Sequence, residues 1–243
     1  MIRDYKAEIE KRVSFICGLL KESGARGIVF GNSGGKDSAL AGILCKTACP
    51  DTVGLIMPCC SKSNYNEDIQ DAMTIAELYG IESRIVDLGT TAGEIKLALG
   101  ASSELTESAA ANIAPRLRMA ALYAVAASEG RLVAGTSNRS EKHMGYFTKW
   151  GDGAFDFNPI ADLTATEVFE FLRHLGVPDQ ITEKAPSGGL FDGQTDECDM
   201  GITYASIDNF LLNGQCTQED MEIITRYHRI SGHKRKPPKE YGY

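Results

Sequence analysis

The stretch "GIVFGNSGGKDSALAGIL", residues 27–44, sets an unbroken apolar run between glycines, follows it with a loop holding paired glycines, and ends in apolar residues at helical spacing. Ile28, Val29 and Phe30 read as a short buried strand, and Ser38 to Leu44 as the start of a helix. A strand feeding a glycine-rich turn and a helix N-terminus aims free backbone N–H groups and the positive helix end at one spot, which is an anion site. Phosphate is the expected guest. The spacing is not that of a Walker loop, because only three residues separate Gly31 from the "GK" at 35 and 36, and Asp37 stands where a Ser or Thr hydroxyl would be. A carboxylate beside a phosphate repels it unless a cation lies between them, so Asp37 implies Mg²⁺ held jointly by carboxylate and phosphate oxygens.

Working outward, "TVGLIM" (52–57), "ESRIVD" (82–87) and "RLVAG" (131–135) read as further strands, separated by helical patterns over 37–47, 65–79 and around 108–127. Strands alternating with helices predict right-handed crossovers and an α/β fold: a doubly wound, Rossmann-like parallel sheet with helices on both faces. Residues 4–22 form an amphipathic helix with Ile9, Val13, Ile16 and Leu20 on one face, and Thr164 with Glu167 opens a helix over 164–175 in capping-box spacing. Two glycine-bearing polar stretches, 136–159 and 184–201, are expected to be functional loops, followed by two more helices and a basic tail, "HKRKPPK". The 243 residues are expected to make one domain.

A net charge of −8 argues against a nucleic-acid partner, which would require clustered Lys and Arg. The seven cysteines include no CxxC pair, so neither a disulfide framework nor a zinc knuckle is indicated, and a cytoplasmic address is expected. The first 20 residues carry seven charges, and no apolar run reaches the roughly 18 residues of a membrane span.

"SGGKDS" (33–38) resembles the pyrophosphatase loop of the N-type ATP pyrophosphatases. "NIAPRLRM" (112–119), "GTSNRSE" (135–141), "GYFTKWGDG" (145–153) and "HKR" (233–235) resemble the motifs of ammonia-dependent NAD synthetases. The resemblance runs from about residue 27 to 236, and the later motifs are the enzyme-specific ones. It implies ATP-dependent amidation of deamido-NAD by ammonia through an acyl adenylate, giving NAD, AMP and pyrophosphate, in a homodimer with deamido-NAD bound across the interface. It places ATP at Gly31, Asn32, Ser33, Gly34, Gly35, Lys36, Asp37, Ser38, Met57, Thr136 and Ser187, with Ser187 in a segment expected to close as a lid. Deamido-NAD falls to Arg116, Lys149, Asp156, His233 and Lys234, with Tyr146 or Trp150 as stacking faces, and Mg²⁺ to Asp37 and Glu141. Asp152, Lys149 and Asp37 are the side chains implicated in the chemistry, Asp152 beside the ammonia. Cys59 and Cys60, near the expected adenine, read as packing residues.

Ala165 stands where the family often has an ATP-contacting lysine, leaving Lys184 and Lys36 as replacement cations. No glutaminase domain is expected in this length, and none of the cysteines sits in a recognisable nucleophile turn. Two rival readings are another ATP pyrophosphatase, either a GMP-synthetase-like amidase or a tRNA-modifying ligase, and a nucleotide-sensing module. The negative charge disfavours the RNA ligase, and the grouping of Glu141, Asp152 and Lys149 disfavours the sensor.

Overall fold

The computed structural model describes residues 3–59, 61–184, 186, 187, 189, 193 and 195–242, so Cys60 lies outside the described residues. Helix α1 (Tyr5–Ser23) precedes β1 (Gly27–Gly31), α2 (Lys36–Ala48), β2 (Thr52–Ile56), α3 (Lys62–Tyr65), α4 (Glu67–Tyr79) and β3 (Glu82–Ile85). Then come α5 (Gly89–Gly100), α6 (Glu107–Ala111), α7 (Ile113–Glu129), β4 (Arg131–Ala134) and α8 (Arg139–Met144). The chain continues through α9 (Ala165–His174), α10 (Asp179–Thr182), α11 (Asp196–Met200), α12 (Tyr204–Asn213) and α13 (Gln218–Ile230).

The strands form one parallel sheet in the order β3-β2-β1-β4. Side chains alternate across β1: Ile28 and Phe30 enter a core with Ile16, Leu40, Ile75 and Phe171, while Val29 joins Val53, Leu55, Ala92, Ala114 and Val133 on the opposite face. Both faces are therefore covered, as a parallel sheet requires. Phe30 demands a glycine opposite it, since a Cβ at Gly42 of α2 would collide with the Phe30 ring. A third cluster, built from Met144, Ala165, Met200, Tyr204, Ile207 and Ile224, joins α8 and α9 to the C-terminal helices.

Several boundaries differ from those predicted. The helix expected over 65–79 is broken at Asn66, whose φ of −120° and ψ of −93° are not helical. The one expected around 108–127 restarts at Ile113, so that Pro115 falls in a first turn, where its missing N–H costs nothing. Strand β3 stops at Ile85, an edge position that is 57% exposed. The polar stretch after β4 is not all loop: it contains α8, and Phe157 makes a parallel bridge to Ala134, a rudimentary fifth strand. Helix α5, not foreseen, carries Ala92 into the core and leaves Leu97 outside.

Candidate active site

Because β1 and β4 are neighbours whose crossovers leave in opposite directions, the loops at their C-terminal ends flank a crevice at the topological switch point. A cavity of about 1430 Å³ opens there. The 31–38 loop forms its floor. Asn32 donates to the Ala72 carbonyl at 3.0 Å and accepts from the Gly34 amide. Ser33 and Ser38 share a hydroxyl contact of 3.0 Å. Gly34 has φ +75°, and a Cβ there would strike the Asp68 carbonyl, so only glycine suits the turn. Gly35 is the N-cap of α2 and supplies no side-chain cap, which leaves the first-turn amides for an anion.

The loop after β4 supplies the second half. Asn138 and Glu141 form a reciprocal capping box at the start of α8, with Glu141 N donating to Asn138 Oδ1 at 3.0 Å and Asn138 N to Glu141 Oε2 at 3.1 Å. The same Asn138 side chain, fully buried, donates through Nδ2 to Asp37 Oδ1 at 3.0 Å. One asparagine thus ties the two predicted metal carboxylates together. Burial and the neighbouring Asp37 carboxylate push Glu141 well above the usual carboxylate range, with Lys36 opposing them. Burial works against the Lys36 ammonium, but Asp37 and Glu141 outweigh it and its pKa is raised. Two repelling carboxylates at a phosphate cradle are a donor set for a hard cation. Among the described residues no group of three or more His, Cys, Asp and Glu is arranged to hold a metal.

The same cavity is lined by Asp152. Its Oδ1 accepts from the Thr148 amide at 2.9 Å, and Lys234 and Arg118 bear on it electrostatically. Asp152 is reached by solvent, but the cavity walls around its carboxylate raise its pKa, the amide and the two cations only partly offsetting them. Lys234 donates to the carbonyls of Gly145 and Phe147 at 2.8 and 2.7 Å, and burial lowers its pKa despite Asp152.

Gly31, Asn32, Ser33, Gly35, Lys36, Asp37, Ser38, Met57, Thr136, Glu141, Tyr146, Asp152, Ser187, His233 and Lys234 all line this cavity. Lys184 lines it too, whereas Arg116, Lys149 and Asp156 lie outside it. Arg116 sits on the exposed side of α7, bonded to the Asn112 carbonyl, although its charge reaches Lys234. Lys149 donates to the His233 carbonyl at 2.9 Å outside the cavity wall, next to Trp150, which is 53% exposed with φ +61°. Asp156 is spent on structure, accepting from the β4 amide of Val133 at 2.7 Å and from the Tyr123 hydroxyl. Lys184, one of the two replacement cations, is held by Asp68 and Asp71 at 2.7 and 2.6 Å. Ala165 is fully buried with its amide on Ser140 Oγ, and Cys59 is a buried packing residue as read.

Sequence reasoning passed over Arg118, Asn138 and Asp196. Arg118 faces the cavity two residues from Arg116, bonded to the Met57 carbonyl and to Asn64. Asn138 was legible as the N-cap of an N-x-x-E box. Asp196, buried and accepting from the Tyr204 hydroxyl at 2.9 Å, had no local signal, since α11 and α12 bring it to the site from 55 residues beyond Glu141.

A model of the NAD synthase family matches residues 8–238. The NH3-dependent NAD(+) synthetase of Carboxydothermus hydrogenoformans is 44% identical over 238 residues, 97% of each chain. Among solved structures, an NMN synthetase from Francisella tularensis superposes with a TM-score of 0.93 at 38% identity over all of both chains. The NH3-dependent NAD synthetase from Campylobacter jejuni gives 0.79 at 28% identity, over 98% of this chain and 99% of that one. With the switch-point cradle, its paired carboxylates and these matches over nearly the whole length, the chain belongs to the NAD synthase family.

Proposed function

We infer that this chain is an ATP-dependent ligase that amidates the nicotinate carboxylate of deamido-NAD with ammonia, releasing AMP and pyrophosphate. The observation that carries the residue assignment is the Asp37–Asn138–Glu141 linkage, which places two carboxylates where loops 31–38 and 135–141 meet.

A carboxylate resists amination because its charge repels nucleophiles and oxide is a poor leaving group. Its oxygen attacks the α-phosphorus of ATP, the bond to the β-phosphate bridging oxygen breaks, and pyrophosphate departs. Negative charge grows on that pyrophosphate, and the preorganised amides of loop 31–38 meet it together with the Lys36 ammonium. Asp37 and Glu141 would hold Mg²⁺, which supplies further positive charge beside the phosphates when bound. Asp152, in the same cavity, binds ammonium and takes its proton, a task suited to a carboxylate of raised pKa. Neutral ammonia then attacks the acyl carbon and AMP leaves with the former carboxylate oxygen. Lys234, His233, Tyr146 and Arg118 are the groups available to the acceptor's phosphate and rings, with Arg116 and Lys149 on the outer rim.

That outer rim supports a homodimer. Helix α5 exposes Leu97 (71%) and Leu99 (41%), apolar surface open to a second copy that would bring rim residues to the acceptor. The 243 residues are proposed to work as one synthetase unit. No helix among the described residues is long and apolar enough to cross a membrane. The cysteines described are all free thiols, which supports a reducing, cytoplasmic address.

One observation favours a second reading of the acceptor. The Francisella NMN synthetase fits this fold with a TM-score of 0.93, against 0.79 for the Campylobacter NAD synthetase. Nicotinate mononucleotide carries the same carboxylate without the adenylyl half, and the same adenylation and amination would convert it. Acceptor-dependent AMP release from ATP, with ammonium and either deamido-NAD or the mononucleotide, tests both readings. AMP formation with neither acceptor would refute them together, and the kcat/KM ratio decides between them.

A further inference from the structure

Lys36 is the most enclosed cation of the site. It is 5% exposed, its Nζ pairs with Asp37 Oδ2, and the ammonium lies 5.4 Å from the Phe169 ring centroid and 5.6 Å from that of Tyr204. Glu141 and Asp196 are the other carboxylates whose charge acts on it. Both oxygens of Asp37 are consequently engaged, Oδ1 by Asn138 and Oδ2 by Lys36. Ala165 lies one helical turn before Phe169 on α9 and contributes only a methyl group there.

A free divalent ion approaching Asp37 meets a fixed positive charge already on the carboxylate. Three acids face one lysine, so the group retains negative charge, but it becomes available to a metal at Asp37 only if the ammonium moves away. Incoming phosphates give it somewhere to go, because the stem of Lys36 springs from the first residue of α2, at the mouth of the anion cradle. Lys184 has no such role, being held by Asp68 and Asp71.

We propose that Lys36 is a tethered cation that holds the metal's place on Asp37 in the nucleotide-free protein and transfers to the phosphate oxygens when nucleotide enters, coupling metal binding to nucleotide binding. The inference rests on the reading of Asp37 and Glu141 as metal carboxylates.

The test uses Mn²⁺ as probe, its free concentration followed by electron paramagnetic resonance on the full chain without nucleotide. Lys36→Gln should bind Mn²⁺ about tenfold or more tightly than wild type, the effect of removing one like charge a few ångströms away. In EDTA, the same variant should bind inorganic pyrophosphate about tenfold or more weakly by calorimetry. Lys36→Arg should keep the weak Mn²⁺ binding of wild type, and Lys184→Gln should leave it unchanged. If Lys36→Gln does not fold, Lys36→Met, which retains an apolar stem against Phe169 and Tyr204, carries both readouts. Unchanged or weaker Mn²⁺ binding in a neutral variant that melts like wild type overturns the proposal. So does an equal rise in Lys184→Gln, or undiminished pyrophosphate affinity. Acceptor-dependent AMP release by wild type is scored separately, so a working synthetase with unaltered Mn²⁺ affinity refutes the role of Lys36 alone.

Discussion

Asn138 does two jobs that substitution can separate. Its Oδ1 caps α8 by accepting from Glu141 N, and its Nδ2 holds Asp37. Loss of an N-cap costs about 1 kcal/mol. A buried hydrogen bond to a charged group contributes about 1.5–3 kcal/mol. Asn138→Ala should therefore lower stability by roughly 2–4 kcal/mol. For a chain of this size that corresponds to about 4–16 °C in Tm. Asn138→Ser keeps a good cap but cannot reach Asp37, so it should recover about 1 kcal/mol of that loss. Activity should not follow stability. Both variants free Asp37 to leave the geometry that meets the pyrophosphate, and misplacement by about 1 Å costs on the order of 10²-fold. Urea unfolding and acceptor-dependent AMP release, measured on the same preparations, give the two readouts. If Asn138→Ala unfolds more easily yet turns over like wild type, Asn138 serves α8 alone and the linkage to Asp37 has no part in the reaction.

Asp37→Asn and Glu141→Gln should each lower turnover about 10²-fold or more while the fold survives, checked by kinetics beside circular dichroism. Arg12, buried on α1, donates to the Pro159 carbonyl at 2.7 Å and to both oxygens of Asp162, so Arg12→Met should cost about 1–3 kcal/mol in denaturant unfolding, chiefly by leaving the Pro159 carbonyl unpaired, since the half-exposed Asp162 keeps Arg3. His143 stacks on His228 with ring centroids 4.2 Å apart, and burial followed by the charges of His228 and nearby arginines lowers its pKa to about 4 from 6.5. The unfolded chain takes up this proton first, so stability should fall between pH 6.5 and 4, and His143→Phe should flatten that part of the unfolding profile. Asp152 has the opposite dependence: its folded pKa lies above 3.8, the unfolded chain releases the proton first, and the penalty is complete only above the folded value. Asp152→Asn should therefore be more stable than wild type at pH 7, lose that advantage in acid, and use ammonium poorly.

What could be read in the sequence was what is local. The apolar run of β1, the glycine turn and Asp37 lie within a dozen residues, and each constrains its neighbours through backbone geometry, so the cradle was legible from residue order alone. Element boundaries were less so, because no breaker marks Asn66, and the only sign of the restart at Ile113 was Pro115 two residues later. The apolar face assigned to α1 placed Ile16 correctly but gave no sign that Arg12 would be buried beside it, since its partners Pro159 and Asp162 come from the far end of the chain. The same limit governs the site. Whether Lys36 or Lys184 could stand in for a lysine at Ala165 was undecidable from spacing, because both follow glycine turns or polar loops. The answer depends on which acids the fold delivers to each: α4 brings Asp68 and Asp71 to Lys184, whereas α8 and α11 bring Glu141 and Asp196 to Lys36. A lysine's role is thus set by its carboxylates, and those arrive by topology.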